Sequence, residues 1–154
     1  MVDFSGLHNR FGKVYKQKAV ELQTKMLLDY APRKLKEAYE GRTFQNETFN
    51  LADSYVWVVY YNGVIEGSGF LWNGSVAQGK SKFHGQEIDG REVARLFTEQ
   101  YSPRAINGWE LVFAATAPYS SYLEGEDFYV ISEIFDSVTI DFRGKARVEF
   151  IQNR

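Results

Sequence analysis

The stretch SYVWVVYYNGVIEGSGFLW, Ser54 to Trp72, decides how this chain folds. It is the densest run of β-branched and aromatic residues, the types that suit a pleated, half-buried backbone. Asn62-Gly63 divides it. Asn-Gly supplies the two positive-φ positions of a type I′ turn, so the stretch reads as a β-hairpin. A two-residue loop sets Tyr61 opposite Val64, and alternation of side chains gives the rest. One face carries Tyr55, Trp57, Val59, Tyr61, Val64, Glu66, Ser68 and Phe70. The other carries Val56, Val58, Tyr60, Ile65, Gly67, Gly69 and Leu71. Two glycines on one strand face mark the close approach of another segment, and an amphipathic helix is the expected visitor. The first face is aromatic yet includes Glu66 and Ser68. It is expected to be half covered, by further sheet or by a neighbouring subunit.

Upstream of the hairpin, residues 1–10 read as an irregular arm in which Gly6 interrupts any helix. From Phe11 the pattern turns helical: Phe11, Val14, Tyr15, Ala19, Leu22, Met26 and Tyr30 recur at spacings of three and four. Pro32 is expected to end this helix near Ala31, since it lacks an amide hydrogen and restricts its predecessor. A second short helix, Arg33 to Tyr39, stops at Gly41. The first helix is expected over the Gly67/Gly69 face. Thr43 to Leu51 alternates weakly, as a strand beside the hairpin would.

Downstream, Asn73 to Ile88 holds three glycines and reads as a long surface loop. Asp89 is an N-cap with Glu92 three residues on, the pattern of a capping box, and opens a helix over Gly90 to Tyr101. Asn107-Gly108 is a turn before a strand, Trp109 to Ala115. Pro118 to Gly125 reads as one or two helical turns. Asp127 to Phe142 fits helical spacing, though its β-branched content also suits a strand; helix is favoured. Gly144 breaks it, and Ala146 to Gln152 alternates as a closing strand. The expected fold class is α+β: a long N-terminal helix packed on a curved, mostly antiparallel sheet, with one or two further helices. The expected organisation is an arm (1–10) and one domain (11–154) with a long loop at 73–88.

Length and composition fit one globular domain with a sizeable core: 154 residues, 44% apolar and 25% charged. The formal charge of −2 and the lack of a basic tract disfavour a nucleic-acid surface. No cysteine is present, which excludes disulfides, thiolate metal sites and a Cys nucleophile. No apolar run reaches membrane-span length, and the opening MVDFSGLHNRF lacks the apolar core of a secretory signal. With 10 Tyr, 12 Phe and 3 Trp, the chain has more large rings than a core of this size easily hides. Either the core is unusually aromatic, or some rings serve protein–protein contacts, where aromatics are enriched.

Catalytic signals are absent. His8 and His84 belong to no metal-ligand pattern and read as solvated side chains. Gly67-Ser-Gly69 runs into Phe-Leu-Trp rather than into a phosphate-binding helix. Glu124, Glu126 and Asp127 cluster beside Gly125 as a paired-carboxylate site would, but acidic residues between short elements are far more often a solvated turn. No catalytic, metal-binding or cofactor-binding residue is expected, and no cofactor.

One stretch carries a resemblance. Val112-Phe-Ala-Ala-Thr-Ala-Pro-Tyr-Ser-Ser-Tyr-Leu-Glu-Gly125 resembles the signature of the tail-completion, or head–tail joining (neck), proteins of tailed bacteriophages. There a strand runs into a Pro-Tyr-Ala-x-Tyr-hydrophobic-Glu-x-Gly turn, after an N-terminal helix ending in Ala-Pro. Pro118, Tyr119, Tyr122, Leu123 and Glu124 occupy the signature positions, Gly125 comes one place early, and Ala31-Pro32 stands for the helix end. Ser120 replaces the preferred Ala, and Arg33-Lys-Leu-Lys replaces the usual Thr-Gly-x-Leu-Arg. The resemblance implies a structural virion protein in the neck or tail, assembled in the host cytoplasm as a homo-oligomeric ring. Its implied partners are copies of itself, adjacent portal or adaptor and tail proteins, and genomic DNA passing through the lumen without specific binding; no membrane is involved. Two different sticky surfaces are then required. The expected interface residues are Tyr55, Trp57, Tyr61 and Phe70 on the hairpin and Tyr119, Tyr122 and Glu124 on the turn. Tyr119 and Tyr122 equally suit caps on the monomer's core. The competing reading is a non-enzymatic binding module that stacks a sugar or peptide on exposed Trp57, Trp72 and Trp109.

Overall fold

The hairpin forms as read: β1 (Tyr55–Tyr61) and β2 (Val64–Phe70) flank Asn62 (φ 50°) and Gly63 (φ 78°), the left-handed pair of a type I′ turn. The structure is a computed structural model that describes residues 5–41, 50–71, 81–120, 123, 130–147 and 149. The other elements are helix α1 (Ser5–Glu40), a single helical turn α2 (Asn50–Asp53), and a two-stranded ribbon of β3 (Ser81–Phe83) and β4 (Gln86–Ile88). Helix α3 (Gly90–Gln100), strand β5 (Trp109–Ala115) and helix α4 (Ser132–Asp141) follow. The fold is α+β, a long N-terminal helix against an antiparallel sheet with further helices.

The main sheet has the order β2-β1-β5, all antiparallel. Its central strand is covered on both sides, which is why its sequence is apolar at nearly every position rather than alternating. On one side Val59, Trp57, Leu111 and Phe113 meet Leu27, Leu28 and Ala31 of α1. The same layer continues through Tyr55, Leu35, Ala38, Val130 and Ile134, which brings α4 onto α1. On the other side Val56, Val58 and Tyr60 pack against Ala94, Phe97 and Tyr101 at α3.

The register departs from simple counting. Tyr61 pairs Val64 and Tyr60 pairs Ile65, but Val59 then pairs Gly67, leaving Glu66 as the extra residue of a β-bulge. A one-residue slip exchanges faces. Gly67 and Gly69 therefore share the face of Trp57 and Val59, while Ser68 and Phe70 join Val56 and Val58. The α1 helix does lie over the glycines, as expected, but together with Trp57 and not with Val56. A methyl at Gly69 would sit 2.8 Å from Trp57 Nε1 and one at Gly67 2.5 Å from Leu28 Cδ2. The indole and the helix occupy the space that side chains would fill.

Helix α1 corrects two further expectations. Residues 5–10 are its first turns, not an irregular arm, and Pro32 lies inside it instead of ending it at Ala31. An interior proline leaves the carbonyl four residues back, that of Leu28, without its helical donor, and costs about 3 kcal/mol. Buried Leu27 and Ala31 before the proline and Leu35 and Ala38 after it hold both halves to one layer, which offsets that cost. The helix ends where Gly41 N donates to Glu37 O.

Elsewhere, Leu51 lies in α2 and not in a strand; 43–49 fall outside the described residues. Half of the expected loop at 73–88 is the β3–β4 ribbon, closed by positive-φ His84 and Gly85; 72–80 are not described. Asp89 caps α3, its side chain accepting from Arg91 N and Glu92 N, but Glu92 pairs with Arg95 rather than completing a box. Helix is the outcome for 132–141, with Gly144 (φ 71°) in the turn after it. Arg147 and Glu149 are not in a strand, and the rest of the expected closing strand is not described.

Candidate functional site

The most exposed apolar surface lies on α1. From Asn9 to Ala19 every side chain faces solvent, so the helix runs about 16 Å past its first contacts, at about 1.5 Å per residue. Phe11, Val14, Tyr15 and Leu22 are between 59% and 80% exposed and Met26 is 49% exposed. At about 100° per residue, Phe11, Tyr15, Leu22 and Met26 form one stripe, roughly opposite the buried line Leu27, Ala31, Leu35 and Ala38. The helix is two-faced. Arg10, Lys13, Lys16, Lys18 and Lys25 surround the stripe, with Glu21 the one acid from Ser5 to Met26. These apolar positions read in sequence as the core face; the face that binds the sheet is the other one. Its signal, Leu27, Ala31, Leu35 and Ala38, is periodic too, but a stop at Pro32 cuts it in half.

A second exposed apolar group lies at the outer strand of the hairpin. Val64, Ile65 and Phe70 are exposed on β2, which has no strand beyond it among the described residues. A shallow groove of about 300 Å³ runs between this strand and α1, lined by Val20, Glu21, Thr24, Lys25, Leu28 and Glu66. The side chains of Glu66 and of Val64 beside it are open to solvent.

The expected interface residues fare differently. Tyr55 has no exposed surface: it is the centre of the core, its ring edge-on to Tyr39 and its hydroxyl donating to Val130 O. It cannot meet a neighbouring subunit, because the α1 layer lies over its face of the sheet. Trp57 fills the space over the two glycines and is only partly exposed. Tyr61 packs on Trp109, ring centroids 4.8 Å apart. Phe70, 38% exposed, is turned to the opposite face from Trp57 by the bulge. Tyr119 is half-buried against the core that holds Tyr55. Tyr122 and Glu124 lie outside the described residues. The single aromatic face is thus divided between core and surface. Trp109 is likewise held inward, its Nε1 donating to Thr24 Oγ1 at 2.9 Å. Trp57 and Trp109 are both partly buried against α1, and Trp72 is not described.

In the turn after β5, Ala117 and Ser120 are buried. Ser120 Oγ donates to Ala115 O, and Ser120 N to Ala117 O. The hydroxyl bond ties the turn to the end of β5, a tie that alanine at this position could not make.

The titratable clusters act as fasteners. Tyr30 Oη donates to Asp141 Oδ2 at 2.6 Å, and Lys34 Nζ bridges Asp141 and Glu37 at 2.9 and 3.0 Å, tying α4 to α1. The Tyr30 hydrogen bond, then Lys34, hold the Asp141 carboxyl below its usual range. Burial pushes Lys34 down, but Asp141 and Glu37 outweigh it and its pKa is raised. Glu110 accepts from Tyr101 Oη (2.6 Å), Arg104 N (2.7 Å) and Ala105 N (2.6 Å), which fixes the α3–β5 connection. Burial, then Glu110, push the Tyr101 hydroxyl above its ordinary range. Asn62 and Gly108 exchange two 2.8 Å hydrogen bonds, stitching the hairpin tip to the turn before β5. Asp53, buried in α2, pairs with Arg91 Nε of α3 at 3.1 Å. Each of these carboxylates takes at least one structural donor. No group of three metal-capable side chains occurs among the described residues, and no described helix is long and apolar enough to cross a membrane.

No family model, curated protein or solved structure matches this chain significantly.

Proposed function

We propose that this protein is a non-catalytic structural subunit that works by assembling with copies of itself, as a ring at the head–tail junction of a tailed bacteriophage. One observation carries the assembly reading: the solvent-facing apolar stripe of α1, Phe11, Tyr15, Leu22 and Met26, on a stretch of helix that the monomer leaves uncovered. Fully burying a large apolar side chain is worth about 1.5–3 kcal/mol. Covering three of them is then worth about 5–9 kcal/mol before association costs, which are of similar size, so one such contact alone is weak. Soluble monomers rarely leave such a patch open without a use for it. The solvated turns also gain little from their own sequence, since Gly12 and β-branched Val14 are weak helix formers. A partner would hold them helical.

The virion assignment rests on the likeness of residues 112–125 to the neck-protein signature, and on carboxylates that are occupied as fasteners. In that setting the partners are further copies and the portal, adaptor or tail proteins on either side, with DNA passing through unheld. The test is the mass of the purified chain by light scattering over a range of concentrations, alone and mixed with portal and tail proteins. Discrete multimers that enter particles are expected. A monomer at every concentration that never joins a particle overturns the reading.

A further inference from the structure

The chain contains three Asn-Gly pairs, at 62–63, 73–74 and 107–108, and the second lies outside the described residues. Asn-Gly is a reactive sequence as well as a turn former. The glycine amide nitrogen, with no side chain to shield it, can attack Cγ of the asparagine before it. The new N–Cγ bond closes a succinimide ring, the Cγ–Nδ2 bond breaks, and the amide proton departs with the leaving ammonia. Water then opens the ring at either carbonyl to give aspartate or isoaspartate. The net change is one water gained and one ammonia lost, with no oxidant or reductant.

The two described pairs are joined. Gly108 N donates to Asn62 Oδ1 at 2.8 Å, while Asn62 N donates to Gly108 O at 2.8 Å. The nucleophile that the 107–108 pair needs is thus held by the side chain of the other pair. An attacking amide must shed its proton and turn toward Cγ. A bond from that N–H to a neutral carboxamide oxygen opposes both, because this oxygen fixes the amide's direction and is not basic enough to take the proton. The rest of the site is open. Asn107 faces solvent, and its carboxamide has no hydrogen-bond partner among the described residues. At Gly108 (φ 81°) a Cβ would meet nothing within 4 Å, so a ring has room to form. In the 62–63 pair the bond falls on the carboxamide and not on the attacking nitrogen, so the guard runs one way. We infer that Asn107 is a latent deamidation site and that Asn62, on the neighbouring strand's turn, is the residue that keeps it closed. Isoaspartate at 107 would route the main chain through the side chain, adding a carbon next to the amide that Asn62 holds. A copy altered there loses the tie between the hairpin tip and β5.

The full-length chain tests this during incubation at mildly alkaline pH, with peptide mapping by mass spectrometry to follow conversion at residue 107. Urea-unfolded wild type gives the unguarded rate. Folded wild type is expected to convert Asn107 about tenfold more slowly or better, the factor that opening a pair of hydrogen bonds brings. Asn62→Gly keeps a residue suited to the left-handed turn and its main-chain bond to Gly108 O, but removes Oδ1. It is expected to bring the Asn107 rate to within a few-fold of the unfolded one, with circular dichroism showing that the chain is folded. Asn62→Asp retains an oxygen acceptor for Gly108 N and is expected to stay as slow as wild type. Gly69→Ala, which crowds Trp57 on β2 and leaves the Asn62–Gly108 bonds in place, controls for general loosening and is expected to stay slow as well. If Asn62→Gly converts Asn107 no faster than wild type, or Gly69→Ala speeds it equally, Asn62 is not the guard and the inference is overturned. It is overturned too if Asn107 in folded wild type reacts as fast as in the unfolded chain.

Discussion

Adding one methyl to each of two neighbouring glycines of β2 should give opposite results. At Gly69 the new carbon would lie 2.8–2.9 Å from Nε1, Cε2 and Cζ2 of Trp57. Three atoms of a rigid, partly buried ring block it, so the strand or the indole must move. Overpacking of this kind costs about 1–3 kcal/mol, against a gain of about 0.4–1 kcal/mol from a less flexible unfolded chain. Gly69→Ala should therefore destabilise by roughly 1–2 kcal/mol, which for a chain of this size lowers Tm by about 2–8 °C. At Gly67 the nearest atom is Leu28 Cδ2 at 2.5 Å, and the next are 3.8 Å away. A leucine methyl at the end of a rotatable side chain gives way cheaply, so Gly67→Ala should lie within about 0.5 kcal/mol of wild type. Urea unfolding followed by Trp fluorescence reads both, with the slope checked for constancy so that midpoints compare stability alone. Trp57→Leu in the Gly69→Ala background should recover most of the methyl's cost, a non-additivity expected of groups in contact. Equal midpoints for the two alanine variants, or strict additivity with Trp57→Leu, would refute the account of why these positions are glycine.

Three other expectations use the same measurement. At Gly90 a methyl would lie 1.9 Å from the backbone oxygen of Asn50, which cannot rotate away, so Gly90→Ala should cost about 3 kcal/mol or more and separate α2 from α3. Pro32→Ala restores a donor to the Leu28 carbonyl inside α1 and should raise the unfolding midpoint; a fall would mean that the helix needs its proline. Asp141 has a folded pKa depressed below 3.8, so its contribution is present above the unfolded value and is lost as pH falls through the lower folded one. Between pH 5 and 2 the wild type should therefore lose more stability than Asp141→Asn, and parallel curves would remove the Tyr30–Asp141–Lys34 fastener from the account.

Local chemistry was legible in the sequence wherever a residue acts on its own neighbours. Asn62-Gly63 sets the hairpin and Asp89 caps α3, while Gly108 and Gly144 take their turns, because each fixes a few backbone angles with no help from elsewhere. What was not legible depends on distant packing. Pro32 is a strong local stop, yet contacts from the sheet on both sides of it carry the helix through. The bulge at Glu66 has no composition signal: it follows from fitting Trp57 and α1 over Gly67 and Gly69, and it reverses which side Phe70 faces. Tyr55 and Phe11 show the same limit for the candidate site. Both are aromatic and regularly spaced, but only the path of α1 decides that the first is sealed in and the second left outside.

The first half of the link between α3 and β5 gathers on a single carboxylate, while Asn62 holds its far end at Gly108. Glu110 collects the Arg104 and Ala105 amides and the Tyr101 hydroxyl, so these groups should let go of it together rather than one by one. The amide protons of residues 104 and 105 should then trade with deuterium at one shared rate, and whatever releases one releases the whole span. A stretch gathered on one carboxylate is a natural place to take up slack.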